Sequence, residues 1–192
     1  MSIKVVITGP YCTGKTTLHR LLIQELTQGG LTVAALPDVA RECPLPLNDL
    51  QSDYTSLWLI GTQIAREAAA ALSTADVVLC DRGIPDILAH HQDVTERDGE
   101  TILASMQGFL ENWLETYDIL LYSTVDYSKP IEPDGLRLVD ETFREKLAGY
   151  AWNTVEPLGE RLIVLPVEGG ARLPVALQAI KRRCSDPNEK RS

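Results

Sequence analysis

The sequence predicts an α/β protein built on a parallel β-sheet with helices on both faces. Five short apolar segments alternate along the chain with longer segments in which apolar residues recur at helical spacing. The apolar segments lack the alternation of polar and apolar residues that one solvent-exposed face would require. The chain of 192 residues is long enough for one domain with a sizeable core.

The strands are predicted from runs rich in Val, Ile and Leu that end at turn-forming residues. The first run, IKVVI, stops shortly before Gly9-Pro10, and the second, LTVAAL, stops at Pro37. The other three runs read ADVVLC, DILLYS and RLIVLP. The five predicted strands therefore cover residues 3–7, 31–36, 75–80, 118–123 and 161–166.

Helices are predicted where apolar residues recur every three or four positions. The first one ends at Gly29-Gly30, and the second tolerates Gly61 in its interior. In chain order the predictions are helices at 15–28 and 54–72, a short helical turn at 84–91, and helices at about 98–116, 140–150 and 171–183. We predict a single domain over 1–184 with a small helical lid at about 127–150, followed by a polar tail at 185–192.

The charge and the cysteine pattern narrow the range of partners. The 27 acidic residues outnumber the 18 Lys and Arg, so the net charge is -9 and a nucleic-acid partner is disfavoured unless a local basic patch exists. The four cysteines are widely spaced and form no CxxC pair, which favours a reducing, cytoplasmic location. No signal pattern and no apolar run of about 18 residues is present, so we expect no membrane partner.

The turn after the first strand has a motif that binds phosphate. Residues 9–16, GPYCTGKT, fit the P-loop pattern G-x-x-x-x-G-K-S/T, with a predicted strand before it and a helix after it. The two glycines allow backbone angles that point successive N–H groups inward, and the helix N-terminus adds unpaired donors and a positive dipole. The predicted ligand is ATP or another nucleoside triphosphate with Mg²⁺. Its predicted contacts are Gly9, Tyr11, Cys12, Thr13, Gly14, Lys15, Thr16 and Thr17, with Lys15 catalytic and the Thr16 hydroxyl on Mg²⁺.

Charged residues follow the second, third and fourth strands. Ligands of parallel α/β sheets bind at the carboxyl ends of the strands, so these residues are expected to share one site. They occur in PDVARE, with Asp38, Arg41 and Glu42; in CDRGIPD, with Asp81, Arg82 and Asp86; and in the loop after the fourth strand, with Asp126, Asp134 and Arg137.

Two of these aspartates have specific predicted roles. Asp81 follows the run VVLC, as expected of a carboxylate that holds Mg²⁺ through water, and a helix N-cap is the alternative. Arg82 stands where many P-loop motors have a Glu that activates water, which favours transfer to an organic acceptor over hydrolysis. Asp38 is the candidate general base beside an acceptor hydroxyl, and an Asx-turn after Pro37 explains it equally well.

Other side chains have weaker signals. Arg82, Arg137 and Arg144 are candidates for neutralising charge on a transferring phosphoryl group. For Arg144 the alternative is a surface ion pair on a charged helix. The adjacent His90 and His91 would point in different directions from one helix, so we expect them to be exposed to solvent and not to bind a metal.

The order and spacing of four segments resemble a known family. The P-loop, PDVARE, DRGIPD and PDGLR together resemble the NadR-type, AAA-like P-loop domain, which includes the nicotinamide riboside kinases, from Ile3 to about Arg182. They are more distantly similar to thymidylate and deoxynucleoside kinases, which share an Asp-Arg pair after the third strand. The resemblance implies a P-loop NTPase three-layer sandwich with the strand order 2-3-1-4-5 and a lid after the fourth strand.

The resemblance also implies roles for individual residues. Asp38 would contact the acceptor, at a position where the family usually has Glu, and Asp81 would lie near Mg²⁺ and the acceptor. Arg137 would approach the phosphates from the lid, and Arg172 matches a position that flanks the nucleotide base. The complete set predicted to contact the acceptor is Asp38, Arg41, Arg82, Asp86, Asp134 and Arg144.

Three functions remain open at this point. The first is an ATP- and Mg²⁺-dependent kinase acting on a hydroxyl of a nucleoside or similar small metabolite. The second places that hydroxyl on nucleic acid, at a 5′ end or a hydroxymethylated base, in a groove of Arg41, Arg66, Arg82 and Lys129. The third is a regulatory nucleotide-binding switch, for which the absence of an N/T-K-x-D signature favours adenine or loose base choice. The acceptor's identity and the oligomeric state stay open.

Overall fold

The fold consists of one five-stranded parallel sheet with helices on both faces. The structure is a computed structural model that describes residues 2–99, 101–128, 130–131 and 139–185. The strands are β1 Ile3–Thr8, β2 Val33–Leu36, β3 Val77–Asp81, β4 Ile119–Ser123 and β5 Leu162–Leu165, in the order β2-β3-β1-β4-β5. The predicted fold class and strand order are confirmed.

Within the described residues, six α-helices connect and flank the strands. They are α1 Lys15–Gln28, α2 Asp53–Ala71, α3 Ile84–Asp98, α4 Gln107–Leu114, α5 Glu141–Val155 and α6 Gly169–Ser185. The turn predicted at 84–91 is the start of a helix that continues to Asp98, where Gly99 with a φ of 85° ends it. The helix predicted at 98–116 instead begins as a 3₁₀ helix, Ile102–Met106, and becomes α4 only at Gln107.

Successive residues of each strand contribute to two different cores. In β1, Val5 and Ile7 pack with Leu22 of α1 on one face of the sheet. Val6 faces the other side and packs in the cluster that contains Leu59 of α2 and Leu147 of α5. Both faces of the sheet are therefore apolar, which explains why the strands appear in the sequence as uninterrupted apolar runs.

The parallel register brings the carboxyl ends of the strands to one edge of the sheet. Ile7 of β1 pairs with Asp81 of β3, and Cys80 of β3 pairs with Leu36 of β2. On the other side, Thr8 of β1 pairs with Tyr122 of β4. The chain segments that follow these residues are therefore neighbours in space.

A buried carboxylate connects the sheet to three surrounding segments. Glu67 of α2 has no solvent exposure and forms an ion pair of 2.9 Å with Lys4 Nζ of β1. It also accepts hydrogen bonds from Trp113 Nε1 at 2.8 Å and from the Tyr117 hydroxyl at 2.6 Å. The Tyr117 hydroxyl in turn accepts from the N–H of Ile84, the first residue of α3. This network fixes the start of α3 relative to the sheet.

Helix α5, in the region predicted as a lid, packs on α3. Lys146 Nζ of α5 lies 2.6 Å from Asp93 Oδ1 and 3.1 Å from Glu96 Oε2 of α3. The preceding part of the predicted lid, residues 132–138, and the tail from residue 186 lie outside the described residues. No described helix combines the length and the apolar character that spanning a membrane requires.

We expect Gly83→Ala to destabilise the protein because the start of α3 is closely packed. A Cβ atom at position 83 would lie 2.7 Å from the Tyr117 hydroxyl and 2.8 Å from Val6 Cγ2. Overpacking of this kind lowers the free energy of unfolding by about 1–3 kcal/mol, which chemical denaturation would measure. Gly61→Ala in α2 is the matched control, since no atom lies within 4 Å of the added Cβ, and we expect it to stabilise by about 0.5–1 kcal/mol. Equal stability of Gly83→Ala and the wild type would contradict this packing.

Candidate active site

The loop between β1 and α1 curls through three left-handed backbone positions. Gly9, Cys12 and Gly14 have φ values of 119°, 59° and 77°. Only glycine fits at position 9, because a Cβ there would lie 2.6 Å from the carbonyl oxygen of Ser123. Alternation of this kind turns successive N–H groups toward one point and creates an anion-binding concavity.

The N-terminus of α1 completes this concavity. Its N-cap is Gly14, which offers no side-chain cap, and its first turn contains no acidic residue. The helical hydrogen-bond ladder begins with the bond from the Leu18 N–H to the Gly14 carbonyl at 3.0 Å, which leaves the earlier amides free of that ladder. Thr16 and Thr17 are exposed at this end, so the positive end of the helix faces solvent.

Lys15 is a buried cation at the base of the loop. Its Nζ donates to the carbonyl oxygens of Pro10, at 2.6 Å, and Gly9, and lies 3.7 Å from Asp86 Oδ1. Burial lowers the pKa of Lys15 to about 7, and the charge of Arg82 acts in the same direction. A polyanion bound at the loop would stabilise the charged form of this lysine.

Arg172 of α6 anchors the phosphate-binding loop through hydrogen bonds. Its guanidinium donates to five oxygen atoms: the backbone carbonyls of Thr13, Thr124, Pro166 and Val167, and the Ser123 hydroxyl. The Ser123 hydroxyl itself donates to the Thr13 carbonyl at 3.0 Å. The structure shows that Arg172 holds the loop through these hydrogen bonds. The predicted contact of Arg172 with a nucleotide base remains a prediction.

Arg82 joins two of the predicted acceptor-site carboxylates. Its Nε lies 2.9 Å from Asp38 Oδ2, and its Nη1 lies 3.4 Å from Asp86 Oδ1. Asp38 Oδ1 accepts from the Ala40 N–H at 3.0 Å, so the Asx-type cap considered as an alternative for Asp38 is present. This cap does not exclude a role of Asp38 in the site, because Asp38 also lines the pocket described below.

Asp86 is more deeply buried than Asp38. Its Oδ2 accepts from the Gly83 N–H at 3.3 Å and thereby caps α3. Burial raises the pKa of Asp86, while the nearby charges of Lys15 and Arg82 act against that rise. Asp86 therefore stands between the lysine of the loop and the arginine of the pocket.

Asp81 has an unused oxygen next to the loop. It ends β3 opposite Ile7, is almost fully buried, and its Oδ1 has no hydrogen-bond partner among the described residues. The N-cap of α3 is Gly83, so Asp81 does not take the capping role considered as an alternative. A buried carboxylate oxygen without a partner fits a cation bound in a hydrated shell.

The described residues contain no group of three or more His, Cys, Asp or Glu that could hold a metal ion. Mg²⁺ does not require such a group, because it usually takes one or two protein ligands and completes its shell with phosphate oxygens and water. Asp81 and the exposed hydroxyl of Thr16 are the residues that fit such an ion. The predicted metal site remains a prediction on these grounds.

A pocket open to solvent adjoins the P-loop between α2, α3 and the segment after β2, and the space within it together with adjoining solvent is about 720 Å³. Leu47, Leu59 and Ile87 contribute apolar walls. The lining residues are Tyr11, Asp38, Val39, Ala40, Arg41, Leu47, Asn48, Gln51, Leu59, Gln63, Arg82, Gly83, Asp86, Ile87 and His90. Five predicted site residues meet here, namely Tyr11, Asp38, Arg41, Arg82 and Asp86.

Arg144 does not line this pocket and belongs to the start of α5. It is only 1% exposed, and although it pairs with Glu141 Oε2 at 2.5 Å, its Nε has no hydrogen-bond partner among the described residues. The ion pair of the alternative is present within α5, but the Arg144 guanidinium lies in the interior and not at the surface. The P-loop reaches the same helix through Tyr11, whose hydroxyl donates to the Asp140 carbonyl at 2.9 Å.

The expected solvent exposure of the two histidines is wrong. His91 is buried and contacts Ser56 Oγ at 3.0 Å and Thr101 Oγ1 at 2.9 Å. His90 lines the pocket and meets the ring of Phe143 edge-on at 6.4 Å. Helix α3 packs between α2 and α5, so neighbouring residues on opposite sides of it are both covered.

Some predicted residues stand outside this arrangement. Asp134 and Arg137, as well as Lys129 of the proposed nucleic-acid groove, lie outside the described residues. Arg66 of that groove donates both Nη atoms to Glu42, at 3.0 and 2.7 Å. Since Arg82 is also paired with carboxylates, the described part of that groove is not a free basic surface.

Three residues of the pocket were not predicted from the sequence, namely Gln51, Gln63 and His90. Gln63 lies four residues before Glu67 in a helix that otherwise looks like an ordinary amphipathic core helix. The only indication in the sequence was that two polar residues, Gln63 and Glu67, lie at helical spacing on the apolar side of this helix.

Comparisons with known proteins agree with this geometry. A family model described as an AAA domain matches residues 4–172. None of the curated proteins matches the sequence. A solved structure of NadR protein in complex with NAD and AMP-PNP has a TM-score of 0.70 at 18% identity, and one of NadR protein in complex with NR has 0.69 at 17%. Both alignments cover 100% of this chain and 52% of the other, so this chain spans about half the length of those proteins.

A third similar structure matches over nearly its whole length. It is a deoxyadenosine kinase from M.mycoides with dCMP and a flexible dCDP bound, with a TM-score of 0.63 and 15% identity. The alignment covers 94% of this chain and 99% of that one. At these identities the likeness establishes the shared fold.

We expect His90 to remain neutral far below the usual titration range of histidine. Burial, together with the charges of Arg82 and Lys15, lowers its pKa from 6.5 to about 3. As the pH falls below 6.5, the unfolded chain takes up a proton that the folded chain does not, so His90 contributes to acid destabilisation. NMR titration of the three histidines would measure this. An imidazole signal of His90 that titrates near pH 6.5 would contradict the prediction.

Proposed function

We propose that this chain, which belongs to the AAA-domain family, is a kinase that transfers the γ-phosphoryl group of ATP to a hydroxyl of a nucleoside-like small metabolite. The observation that carries this proposal is the position of the acid-lined pocket directly beside the phosphate-binding loop. Asp86 Oδ1, at the border of the two, lies 3.7 Å from Lys15 Nζ. A donor phosphate on the loop and an acceptor in the pocket would meet at that border.

The donor side rests on the loop and the first turn of α1. The inward-turned amides around Cys12 and Gly14 would hold the phosphates, and Lys15 would exchange its contacts with the Gly9 and Pro10 carbonyls for phosphate oxygens. Mg²⁺ held by Thr16 and Asp81 would neutralise charge on the β- and γ-phosphates.

On the acceptor side, Asp38 would receive the proton of the hydroxyl or fix its direction. Its carboxylate is oriented by the Ala40 N–H and by Arg82 Nε, so it does not need to reorganise when the acceptor binds. Arg82, held between two acids, would remain in place and stabilise negative charge that develops on nearby phosphate oxygens.

Exclusion of water would be the role of the lid region. The Tyr11 hydroxyl links the P-loop to Asp140, which caps α5, and α5 carries the buried Arg144. In the predicted lid, whose residues 132–138 lie outside the described residues, Arg137 would approach the phosphates and Asp134 would contact the acceptor. A closed lid would keep the phosphoryl group from reacting with water.

The complexes of the similar structures support the same assignment. NadR has been solved with AMP-PNP and with NR, and the deoxyadenosine kinase with dCMP and dCDP. A nucleotide donor and a nucleoside-like acceptor suit the loop and the pocket of this chain.

The two other interpretations have less support. A strand-binding groove would need Arg66 and Arg82, which are paired with acids. A regulatory nucleotide-binding switch does not require an acid-lined pocket beside the loop.

Incubation with γ-labelled ATP, Mg²⁺ and separate panels of nucleosides, ribosides and DNA tests the proposal. We expect label to appear on a small molecule. Label retained on DNA would support a nucleic-acid acceptor, and tight nucleotide binding without transfer to any acceptor would support a switch.

We expect Lys15→Ala to abolish phosphoryl transfer. The substitution removes the only lysine at the loop and so the cation expected at the β- and γ-phosphates. Transfer should be measured at saturating ATP, with ATP binding followed by calorimetry. Lys181→Ala, an exposed lysine on α6, is the matched control and should retain full transfer. Normal transfer by Lys15→Ala would overturn the proposed donor site.

We expect Asp38→Asn to reduce kcat by about 10²–10⁴-fold, because an amide cannot accept the hydroxyl proton. The change keeps the size of the side chain and the acceptor for the Ala40 N–H. Asp98→Asn, an exposed aspartate at the far end of α3, is the matched control. If Asp38→Asn transfers phosphate at nearly the wild-type rate, Asp38 is not the base.

A further inference from the structure

Arg172 of α6 joins segments that belong to the ends of three different strands. Its guanidinium donates to oxygen atoms of the phosphate-binding loop after β1, of the end of β4 and of the segment after β5. The residue is only 6% exposed, so these contacts lie in the interior. They lie next to the N-terminus of α1, since a Cβ atom on Gly14 would be 3.8 Å from Arg172 Nη1.

Every N–H group of Arg172 is used in these hydrogen bonds. A guanidinium has one N–H group on Nε and two on each Nη atom. Nε makes one of the five bonds, and Nη1 and Nη2 make two each. A nucleotide base could therefore receive a hydrogen bond from Arg172 only at the cost of a buried, charge-assisted bond inside the protein.

The contact with the phosphate-binding loop is made at the carbonyl of Thr13. This carbonyl accepts from Arg172 Nη1 and, at 3.0 Å, from the Ser123 hydroxyl. The Ser123 hydroxyl also accepts from Arg172 Nη1 at 2.8 Å, and Ser123 has no solvent exposure. The Thr13 carbonyl is thus fixed by two buried donors that also bind each other.

The bond to the Thr13 carbonyl also sets the direction of the next amide. The peptide unit between Thr13 and Gly14 is planar and trans, so the Gly14 N–H points away from the Thr13 carbonyl and hence away from Arg172. Among the described residues, this N–H donates to no backbone acceptor. Gly14 is the N-cap of α1, where unpaired amides can bind an anion.

We propose that Arg172 is a positioning residue, which orients the Gly14 amide toward a bound polyphosphate and makes no contact with the base of the nucleotide. Its contribution to nucleotide affinity then depends on the phosphates alone. The resemblance of the sequence to the NadR-type domain implies a different role for Arg172, next to the base. The proposal rests on the proposed function only because it takes this loop to be the nucleotide site.

The test compares the binding of AMP-PNP and of inorganic tripolyphosphate, each with Mg²⁺ and without an acceptor, by calorimetry. Both ligands carry a chain of three phosphate groups, and only AMP-PNP carries a base. Arg172→Lys keeps the positive charge, but the three donors of lysine share one nitrogen and cannot reach all three segments. We expect the affinity for both ligands to fall by a similar factor of about 10–100.

Ser123→Ala is a second, milder variant that decides the matter if Arg172→Lys does not fold. It removes one of the two donors to the Thr13 carbonyl and leaves Arg172 in place. We expect both affinities to fall by about 2–10-fold. Arg182→Lys, the same exchange at an exposed position of α6, is the matched control and should bind both ligands as the wild type does.

Thermal melting of each variant identifies a temperature at which it is fully folded, and binding is measured there. A merely structural role of Arg172 would lower the melting temperature and leave both affinities of the folded variant unchanged, which would overturn the inference. A weaker affinity for AMP-PNP with unchanged tripolyphosphate binding would show a contact with the base and would overturn it as well.

The outcomes also separate this inference from the proposed function. A parallel loss of both affinities, together with a wild-type protein that transfers phosphate to no acceptor, would uphold the inference and overturn the kinase assignment. Phosphoryl transfer by the wild type, together with unchanged affinities in the folded variants, would do the reverse. A folded wild-type protein that binds neither ligand would overturn both.

Discussion

The parallel register of β1, β2 and β3 is the constraint on which the rest of the structure depends. Because Ile7 lies opposite Asp81 and Leu36 lies opposite Cys80, the chain leaves all three strands at the same level. The phosphate-binding loop, the segment with Asp38 and the turn with Arg82 must then share one edge of the sheet. Apolar packing on both faces prevents a slip by one residue, which would turn every core side chain toward the wrong layer.

Glu67 extends that constraint from the core into the pocket. It neutralises Lys4 in the interior, positions Tyr117 against the start of α3, and orients Gln63. A buried ion pair of this kind adds little net stability, but removal of one partner leaves an uncompensated charge and typically costs about 3–5 kcal/mol. The same carboxylate therefore stabilises one arrangement of α2, α3 and the pocket wall.

The sequence predicted the parts of this molecule that depend on local patterns. Apolar runs identified the strands, the glycines and Lys15 identified the loop, and charged residues after the strands identified Asp38 and Asp86 as neighbours. It did not reveal contacts between distant segments. His91 was expected in solvent, whereas it contacts Ser56 and Thr101. For Arg144 the alternative was a surface ion pair, whereas its side chain on α5 is buried. The orientation of Gln63 also depends on partners up to about 60 residues away in the chain.

The hydrogen bond from Arg172 to the P-loop has a consequence for synthesis of the chain. The Thr13 carbonyl receives its guanidinium donor from a residue 159 positions later, in α6. Since the N-terminal part of a chain emerges from the ribosome first, the loop is synthesised well before this helix. Nascent chains that still lack α6 therefore also lack the Arg172 hydrogen bonds that hold the loop in the folded protein.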